Sequence, residues 1–541
     1  MIAFPRSLSR WTLPTVASLL VLPLFLTHYL PFCDLPEHLA VISTLLHWQD
    51  PTWHSREFFV LQDPTSTPYL LYHLVAALLA AILGTPERAN LLLLILTAVG
   101  FFYALRALLQ SLETDQRLAV FAGCLFFNRA LAEGLMTYVV SIPLVLYALA
   151  LVVRQSRTPR RRRALVLAAM TLVIFYLHLS SFIVFILGAL LIIIVIQIGR
   201  RTDSSGRHVP WRTQVLSHGG WLLSAIPPIV LLLASSSIAH PNRSQGVHAG
   251  AIRFSPLAYR GQELWAWMHD FWRGPLDDVF AGVAWGALIL LAIFRSPSAV
   301  APRALRWVGP LLLLLALILY FAMPSQVGFA FILDLRLAPF VGLFAALVPR
   351  PRPGRLTDAL FGLLTCATMA YCLNTSVEMW RYDREEARHF DHVLRNLPRE
   401  KKLLSLVFHT ASARVHISPF IHFGAYYRVR YGGIASFSFS EIPYWPLQYR
   451  AEAAPPKKSI VFWDWNPCLF RNSVDGYYYN FILLRGDVRP FRRETPGPRW
   501  RVIGAARDWV LYARDPQTPP LPIPAGKDDP GPCQKRNAPE R

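Results

Sequence analysis

The sequence predicts an α-helical polytopic membrane protein of about eleven transmembrane helices, followed by an extracytoplasmic mixed α/β domain. Three observations support this fold class. Hydrophobic residues make up 54% of the 541-residue chain. Apolar runs of membrane-spanning length recur up to about residue 375, and short arginine-rich loops separate them. Beyond that point, charged residues and short strand-like segments between Pro and Gly turns replace the apolar runs.

The net charge of +21 does not indicate nucleic acid as a partner. Much of this charge lies in the short arginine loops, where it is typical of cytoplasmic topology signals. The six cysteines show no paired CxxC and no Cys/His ligand spacing, so no metal-ligating residues and no structural zinc site are predicted. The cofactor is unknown from sequence, and a requirement for a divalent cation stays open.

The first apolar run, 11–32, sets the expected orientation of the chain. Arg6 and Arg10 precede it, which predicts a cytoplasmic N-terminus and an extracytoplasmic loop over 33–67. No small-residue cleavage site follows the run, so we interpret it as a retained helix and not as a signal peptide.

The next segments are assigned from their length and from the positions of arginines. Segments 68–84 and 85–109 are predicted to cross the membrane. Segment 118–132 contains too short an apolar run to span, and we interpret it as re-entrant or interfacial. Segment 137–153 is predicted to cross inward to the arginine cluster at 154–163, which is the strongest cytoplasmic marker in the chain.

Segment 164–198 is predicted to form two short helices with His178 at the outer turn between them. The next crossing, 215–238, leads to a second outer loop over 240–278. Arg336 is predicted to lie in a short outer segment, 324–338. The remaining crossings are predicted over 279–294, 307–323, 339–348 and 356–373.

Composition divides the chain into three parts. A membrane module is predicted over 1–375, an extracytoplasmic α/β domain over 376–515, and a disordered, proline-rich tail over 516–541. Within the α/β domain, the pattern predicts an amphipathic helix over 378–397. Strands are predicted over 402–409, 460–465, 477–485 and 509–514.

The stretch after the first helix carries the candidate catalytic residues Asp34, Glu37 and His38. In one interpretation they form a catalytic group at the mouth of the helix bundle, since ionisable side chains are costly near a membrane and often mark function. In the other, Asp34 and Glu37 are spaced as the first and last residues of a capping box at a helix start. The two interpretations do not exclude each other.

Other ionisable residues at the outer edge also have two interpretations. Arg336 either binds an anion, pairs with Asp334 or extends to the membrane interface. His178 either binds a ligand or makes a hydrogen bond within a helix turn. Three residues of the Trp-rich second loop are interpreted as a solvated rim: Glu263, His269 and Asp270.

In this order of elements, the chain resembles the GT-C class of polyprenyl-phosphate-sugar-dependent glycosyltransferases and related bacterial multi-pass membrane proteins. Asp34-Leu35-Pro36-Glu37-His38 is similar to the acidic first-loop motif of that class. Gly134-Leu135-Met136-Thr137-Tyr138 is similar to its glycine-bearing break before a helix. Asp334-Leu335-Arg336-Leu337-Ala338-Pro339 is similar to an arginine-before-proline segment of the bacterial relatives.

The resemblance implies a plasma-membrane (inner-membrane) enzyme that moves a sugar from a polyprenyl-phosphate donor to an extracytoplasmic glycan, lipid or protein. It implies that Asp34, with Glu37 and His38, forms the catalytic group, and that Asp34 acts as the general base. It also implies that Arg336 and His178 bind the donor phosphate. The first loop lacks the adjacent acidic pair of well-known members, so metal dependence stays open.

Two other functions are compatible with this architecture. A transporter or flippase of a lipid-linked glycan predicts an inverted repeat and ionisable residues at mid-membrane. Here the notable charges lie at the outer edge, and no internal repeat is apparent. A non-enzymatic envelope assembly protein would instead use the C-terminal domain to contact its partners.

Overall fold

The structure is a computed structural model that describes residues 8–64, 67–201, 211–234, 252–294, 302–328, 330–395, 397–442, 444–456, 463, 465–486 and 495–522. Most of the predicted strand over 460–465, the start of the predicted loop over 240–278 and the tail beyond residue 522 lie outside these residues. Internal contacts divide the chain into two compact units. The membrane unit comprises Met1–Thr27, Pro64–Tyr72 and Leu91–Trp380. The sheet unit comprises His28–Asp63, His73–Asn90 and Arg381–Arg541.

The longer helices are labelled in chain order, and shorter pieces are named by their residues. The labelled helices are α1 Leu8–Val21, α2 Leu35–Leu46, α3 Leu70–Leu83, α4 Pro86–Ser111, α5 Met136–Arg157, α6 Arg161–Leu177, α7 Leu179–Arg201, α8 Trp211–Leu222, α9 Ile226–Ala234, α10 Leu257–His269, α11 Leu276–Ile293, α12 Arg303–Ala322, α13 Ala338–Ala345 and α14 Arg355–Tyr382.

Six helical segments in the described part of the chain are long and apolar enough to cross a membrane. They are Pro86–Ser111, Met136–Arg157, Leu179–Gly199, Leu276–Ile293, Ala304–Ala322 and Arg355–Leu394. Exposed leucine and isoleucine side chains on these helices, such as Leu96, Ile289 and Ile318, suit contact with lipid. The helical, multi-pass fold class is therefore confirmed, and the total of about eleven crossings stays a prediction.

The segment 118–132, expected to be re-entrant or interfacial, belongs to a longer segment, 116–132, whose two ends have different surroundings. Near its start, Arg117 pairs with Asp358 in the first turn of α14, at 2.8 Å. Near its end, Arg129 pairs with Asp270, shortly before α11, at 2.9 Å. The segment is a 3-10 helix followed by two four-residue helices. Because a 3-10 helix rises about 2.0 Å per residue, this short segment reaches farther than an α-helix of equal length.

Helix α11 shows that these two surroundings are opposite ends of the membrane unit. It begins at Leu276, near Asp270, and ends at Ile293. The carbonyl of the next residue, Phe294, accepts a hydrogen bond from the N–H of Arg352, three residues before α14 begins. The re-entrant interpretation is therefore wrong, because the segment 116–132 runs the full length of α11, end to end.

Helix α3 was expected to cross the membrane as part of 68–84, and its contacts contradict this. His73, near its start, stacks on His38 with ring centroids 5.1 Å apart. Burial raises the pKa of Tyr426, and the nearby charge of Glu87, just beyond the end of α3, raises it further. All of these residues belong to the sheet unit. A helix of this length spans about 21 Å, short of the roughly 30 Å hydrocarbon core. With α3 kept in the sheet unit and 116–132 running along α11, the total of about eleven crossings stays a prediction.

The sheet unit is built on a five-stranded mixed sheet, in the order β6 (Ile434–Ala435), β5 (Lys402–Val407), β8 (Phe481–Arg485), β10 (Trp509–Asp515) and β9 (Arg499–Ala506). Strand β5 lies parallel to β6 and to β8, while β10 lies antiparallel to β8 and β9. The strands of both units are β1 Phe59–Leu61, β2 Ile252–Arg253, β3 Gln326–Val327, β4 Ala330–Phe331, β5 Lys402–Val407, β6 Ile434–Ala435, β7 Leu447–Tyr449, β8 Phe481–Arg485, β9 Arg499–Ala506 and β10 Trp509–Asp515.

The sheet places alternate apolar side chains of its central strands in one core. Leu404 and Leu406 of β5 pack with Ile482 and Leu484 of β8 and with Tyr512 of β10. Successive side chains of a strand point to opposite faces of the sheet, so these alternate positions share one face. The predicted strand over 477–485 begins later, because a 3-10 turn occupies its first residues.

The first loop also belongs to the sheet unit. Strand β1 pairs with β7 in antiparallel register, with Phe59 opposite Tyr449. Phe59 packs with Val41 of α2 and with Trp445 and Leu447 in a second apolar cluster. This cluster fixes α2, and with it the residues Asp34, Glu37 and His38, inside the sheet unit.

Candidate functional site

The acidic first-loop motif forms the start of α2. Pro36 stands in the first helical turn, where its missing N–H costs no hydrogen bond. Asp34 occupies the N-cap position, and its carboxylate makes no capping hydrogen bond. Its backbone carbonyl accepts from the N–H groups of Glu37 and His38, at 3.1 and 3.3 Å. The capping-box interpretation is therefore wrong, because neither carboxylate accepts a hydrogen bond from a backbone N–H at the start of α2.

Glu37 is fully buried and is held by polar groups of the sheet unit. Its Oε2 accepts from the N–H of Phe439 at 3.0 Å and from the hydroxyl of Ser438 at 3.2 Å. The guanidinium of Arg428, also buried, lies 3.5 Å away. Burial raises the pKa of Glu37, and the charge of Arg428 opposes this shift. Glu37 therefore ties α2 to the segments that carry Arg428 and Ser438.

Asp34 is the accessible member of the motif. Its side chain is 22% exposed, and its Oδ1 lies 3.3 Å from Nε2 of the buried His422. The thiol of Cys33 lies in the same group, within 4.8 Å of both ligand atoms. A carboxylate that is held by one imidazole and still reaches solvent has the placement that a general base needs.

His38 faces the interior of the sheet unit and not the solvent. Its Nδ1 lies 2.9 Å from Nε2 of His73, and both rings are buried. Trp445 packs against both rings, with centroids 5.1 and 5.4 Å away. These contacts place His38 in a buried aromatic stack behind Asp34.

Arg336 occupies a separate site in the membrane unit. The structure places it in a 3-10 turn, Leu335–Leu337, just before α13. Its Nη2 donates to the carbonyl of Phe331 at 2.8 Å, and its Nη1 lies 3.3 Å from Nε2 of His178. Its Nε is buried and has no hydrogen-bond partner among the residues that the structure describes. The hydroxyl of Tyr138 donates to its backbone carbonyl.

Asp334 does not neutralise Arg336. Its carboxylate pairs instead with the guanidinium of Arg260, at 3.1 Å, and both of these side chains are buried. Among the described residues, no carboxylate lies within ion-pair distance of Arg336. The ion-pair interpretation of Asp334 and Arg336 is therefore wrong, and no carboxylate in the described part of the chain balances the charge of this guanidinium.

Neutral groups surround this guanidinium. His178 lies in the turn between α6 and α7, and its ring is 5.4 Å from Tyr69 and 5.0 Å from Tyr138. Burial, aided by the charge of Arg336, lowers the pKa of His178 well below its usual range. A neutral imidazole accepts a hydrogen bond from the guanidinium and leaves its charge available to an anion.

The ionisable residues of the second outer loop form a packed network. Arg129 donates to Glu263 at 2.8 Å and to Asp270 at 2.9 Å. His269 lies between the carbonyl of Cys124 at 2.9 Å and the indole N–H of Trp285 at 2.6 Å. These contacts are structural, although the sequence indicated a solvated rim.

Several partners of the predicted residues were not found from the sequence. Arg428 and His422 lie almost 400 positions beyond the motif they contact, and single-sequence spacing carries no signal for such pairs. Tyr138 belongs to the glycine-bearing motif that the sequence did single out. The structure thus assembles Asp34, Glu37 and His38 in the sheet unit, and Arg336 with His178 in the membrane unit.

No family model and no curated protein matches this chain. Among solved structures, a mutant of arabinofuranosyltransferase AftD from Mycobacteria is 14% identical, with a TM-score of 0.50 over 95% of this chain and 42% of that one. Oligosaccharyltransferase AglB from Archaeoglobus fulgidus, in complex with an inhibitory peptide and a dolichol-phosphate, is 11% identical with a TM-score of 0.35. That match covers 89% of this chain and 70% of AglB. The chain thus spans less than half the length of AftD. At this identity the likeness to AftD shows the fold alone, and it confirms the resemblance to the GT-C fold.

Proposed function

We propose that this protein is an integral membrane glycosyltransferase that moves a sugar from a polyprenyl-phosphate donor to an extracytoplasmic acceptor. The observation that carries the proposal is the unbalanced guanidinium of Arg336, with an unpartnered Nε, in a protein with a GT-C-like fold. The fold neighbour AftD is an arabinofuranosyltransferase, which supports glycosyl transfer as the general activity.

Arg336 suits a phosphate better than a carboxylate of the protein. Its planar fork donates to two oxygens at once, and phosphate offers several. The carbonyl of Phe331 and the imidazole of His178 hold the two terminal nitrogens, so the guanidinium is oriented before an anion arrives. His178 contributes as a neutral hydrogen-bonding group beside the same anion. Donor binding would neutralise the charge that the protein leaves unpaired.

In the proposed reaction, Asp34 acts on the acceptor. The acceptor hydroxyl oxygen attacks the anomeric carbon of the sugar and forms the new C–O bond. The bond between that carbon and the phosphate oxygen breaks, and polyprenyl phosphate leaves with both bonding electrons. Asp34 takes the hydroxyl proton, and Arg336 stabilises the charge on the leaving phosphate. Glu37 and His38 act as positioning residues, because their buried contacts hold α2.

The experiment measures binding of polyprenyl phosphate to the purified full-length protein by native mass spectrometry. Arg336→Lys keeps the charge and loses the fork, so we expect the binding constant to fall about tenfold or more. Arg129→Lys is the matched control, since the fork of Arg129 is already occupied by Glu263 and Asp270. We expect this variant to bind the lipid normally.

The same variants are then assayed for sugar transfer from a panel of polyprenyl-phosphate sugars. Loss of binding and transfer in Arg336→Lys, at an unchanged melting temperature, supports the proposal. Equal lipid binding by wild type and Arg336→Lys would overturn the phosphate role of Arg336. Specific lipid binding with movement of the lipid across the bilayer and no transfer would favour a flippase.

A further inference from the structure

Three side chains with metal-binding atoms meet at the start of α2. They are the thiol of Cys33, the carboxylate of Asp34 and the imidazole of His422, and their ligand atoms all lie within 4.8 Å of one another. His422 Nε2 and Asp34 Oδ1 are 3.3 Å apart. Cys33 and His422 are buried, while Asp34 is partly open to solvent. All three belong to the sheet unit.

The spacing suits a tetrahedral zinc ion. With bonds of about 2.0 to 2.3 Å, two ligand atoms on such an ion lie about 3.3 to 3.8 Å apart. The nitrogen–oxygen separation already matches this range. The 4.8 Å limit on the remaining separations leaves a side-chain adjustment of about one ångström to close the site.

The surroundings hold the imidazole in place and leave it short of partners. The rings of Phe437 and Phe439 meet His422 edge to face, with centroids 4.1 and 5.0 Å away. Nδ1 of His422 is buried, and no described residue offers it a hydrogen bond. The Asp34 carboxylate is not used as a helix cap. Neither group is therefore committed to a complete hydrogen-bond network.

We propose that Cys33, Asp34 and His422 bind one zinc ion with three protein ligands and one open position. A thiolate, a carboxylate and a neutral imidazole supply two negative charges, which balance the charge of the ion in this largely apolar place. Thiolate and imidazole ligands select zinc over magnesium, calcium and manganese. Of the three ligands, Asp34 is the one that reaches solvent, so the open position faces that side.

The zinc site goes beyond the proposed glycosyl transfer and does not depend on it. Ligation through Oδ1 leaves the second oxygen of Asp34 available to an acceptor hydroxyl. The ion also joins the turn before α2 to the segment around residue 422, so its binding stabilises the folded sheet unit.

The first measurement is the zinc content of the full-length protein, purified in detergent without chelators, by elemental mass spectrometry. We expect about one zinc per chain in the wild type and much less in Cys33→Ser and His422→Gln. The exposed residues Cys366 and His392 give matched controls, Cys366→Ser and His392→Gln, which should retain the metal.

The second measurement replaces zinc by Co²⁺ after chelation. Tetrahedral cobalt with a thiolate ligand gives visible d–d bands and a near-ultraviolet sulfur-to-cobalt band. The sulfur band should vanish in Cys33→Ser and persist in Cys366→Ser. Folding of each variant is checked by gel filtration and melting, and Asp34→Asn, which keeps a weak oxygen ligand, should only shift the d–d bands.

The absence of zinc and of any cobalt spectrum in folded wild-type protein would overturn the site. A sulfur band that survives Cys33→Ser would overturn the ligand assignment as well. Both readouts are made without donor lipid, so a failed metal site leaves the glycosyl-transfer proposal standing, and a failed transfer assay leaves the metal site standing.

Discussion

The Glu37–Arg428 contact at the start of α2 is a fully buried ion pair, with side chains 0% and 1% exposed. Removing the carboxylate alone leaves the guanidinium buried without an anion. We expect Glu37→Leu to destabilise the protein by about 3–5 kcal/mol, seen as a lower melting temperature. The double variant Glu37→Leu with Arg428→Met should recover part of this loss.

A partly exposed ion pair of the same unit gives the control for these Glu37 and Arg428 variants. Glu385 and Arg414 lie 2.6 Å apart, with side chains 45% and 29% exposed. Glu385→Leu should cost no more than about 1 kcal/mol, because solvent screens this pair. Similar melting temperatures for Glu37→Leu and Glu385→Leu would show that the buried pair contributes little.

Asp34 has the opposite character, since it is accessible and makes no capping bond. We expect Asp34→Asn to fold normally and to lose transfer by about a hundredfold or more, because asparagine cannot accept the acceptor proton. Asp50→Asn is the control, since Asp50 is in the same loop and caps a 3-10 helix, a role that asparagine also fills. Equal activity of wild type and Asp34→Asn would remove Asp34 from the mechanism.

At these positions, the sequence identified the residues but not which of them are buried or what they contact. The motif pattern singled out Asp34, Glu37 and His38 together, although only Asp34 reaches solvent. Glu37 and His38 differ from Asp34 because they contact Arg428 and His73, and these two residues meet the motif only through tertiary packing. For Arg336, sequence left an ion pair with Asp334 open. The contact between Asp334 and Arg260 decides against it, and this contact joins residues 74 positions apart.

At the scale of elements, the length of the apolar runs and the turn residues between them predicted most helices and the strands over 402–409 and 509–514. They failed where hydrophobicity alone set the assignment. Segment 118–132 looked too short to span, because the rule assumes an α-helical rise and the segment contains a longer-rising 3-10 helix. Helix α3 is apolar enough to span, but it is short, and residues at both of its ends lie next to sheet-unit side chains.

The turn before β6 offers a test of the sheet. Gly433 has φ 71°, and an added Cβ would lie 2.3 Å from the carbonyl oxygen of Lys401. We expect Gly433→Ala to lower the free energy of unfolding by about 1–3 kcal/mol. Alanine is strained at this positive φ, and its Cβ would clash with the carbonyl oxygen of Lys401. Lys401 accepts the hydrogen bond that starts the β5–β6 pairing, so that edge should open first.

Gly504→Ala in β9 is the control for this change. A Cβ added at Gly504 would lie 3.8 Å from its nearest neighbour, the carbonyl oxygen of Val393, and the backbone of Gly504 is not left-handed. Its melting temperature should stay close to that of the wild type, and hydrogen exchange at Ile434 and Ala435 should rise only in Gly433→Ala. Equal melting of the two variants would show that the turn tolerates a side chain.

At the scale of the whole molecule, hydrogen bonding constrains the topology. Strand β1 pairs with β7, so residues 59–61 and 447–449 must lie on the same side of the membrane. The number of crossings between them is therefore even. The arginine clusters predict that this side is extracytoplasmic and that the turn at Thr158 is cytoplasmic.

Cysteines introduced one at a time, in a chain whose six native cysteines are all replaced by serine, test this arrangement with a membrane-impermeant maleimide added to intact cells. Arg88→Cys, just after α3, and Pro456→Cys, in the sheet unit, lie at exposed positions and should both react. Thr158→Cys should react only after the membrane is opened. Position 88 separates the two topologies, because a crossing over 68–84 would put it in the cytoplasm, whereas the contacts of α3 keep it with the sheet unit. Protection of Arg88→Cys together with labelling of Pro456→Cys would restore that crossing, and protection of both would invert the whole orientation.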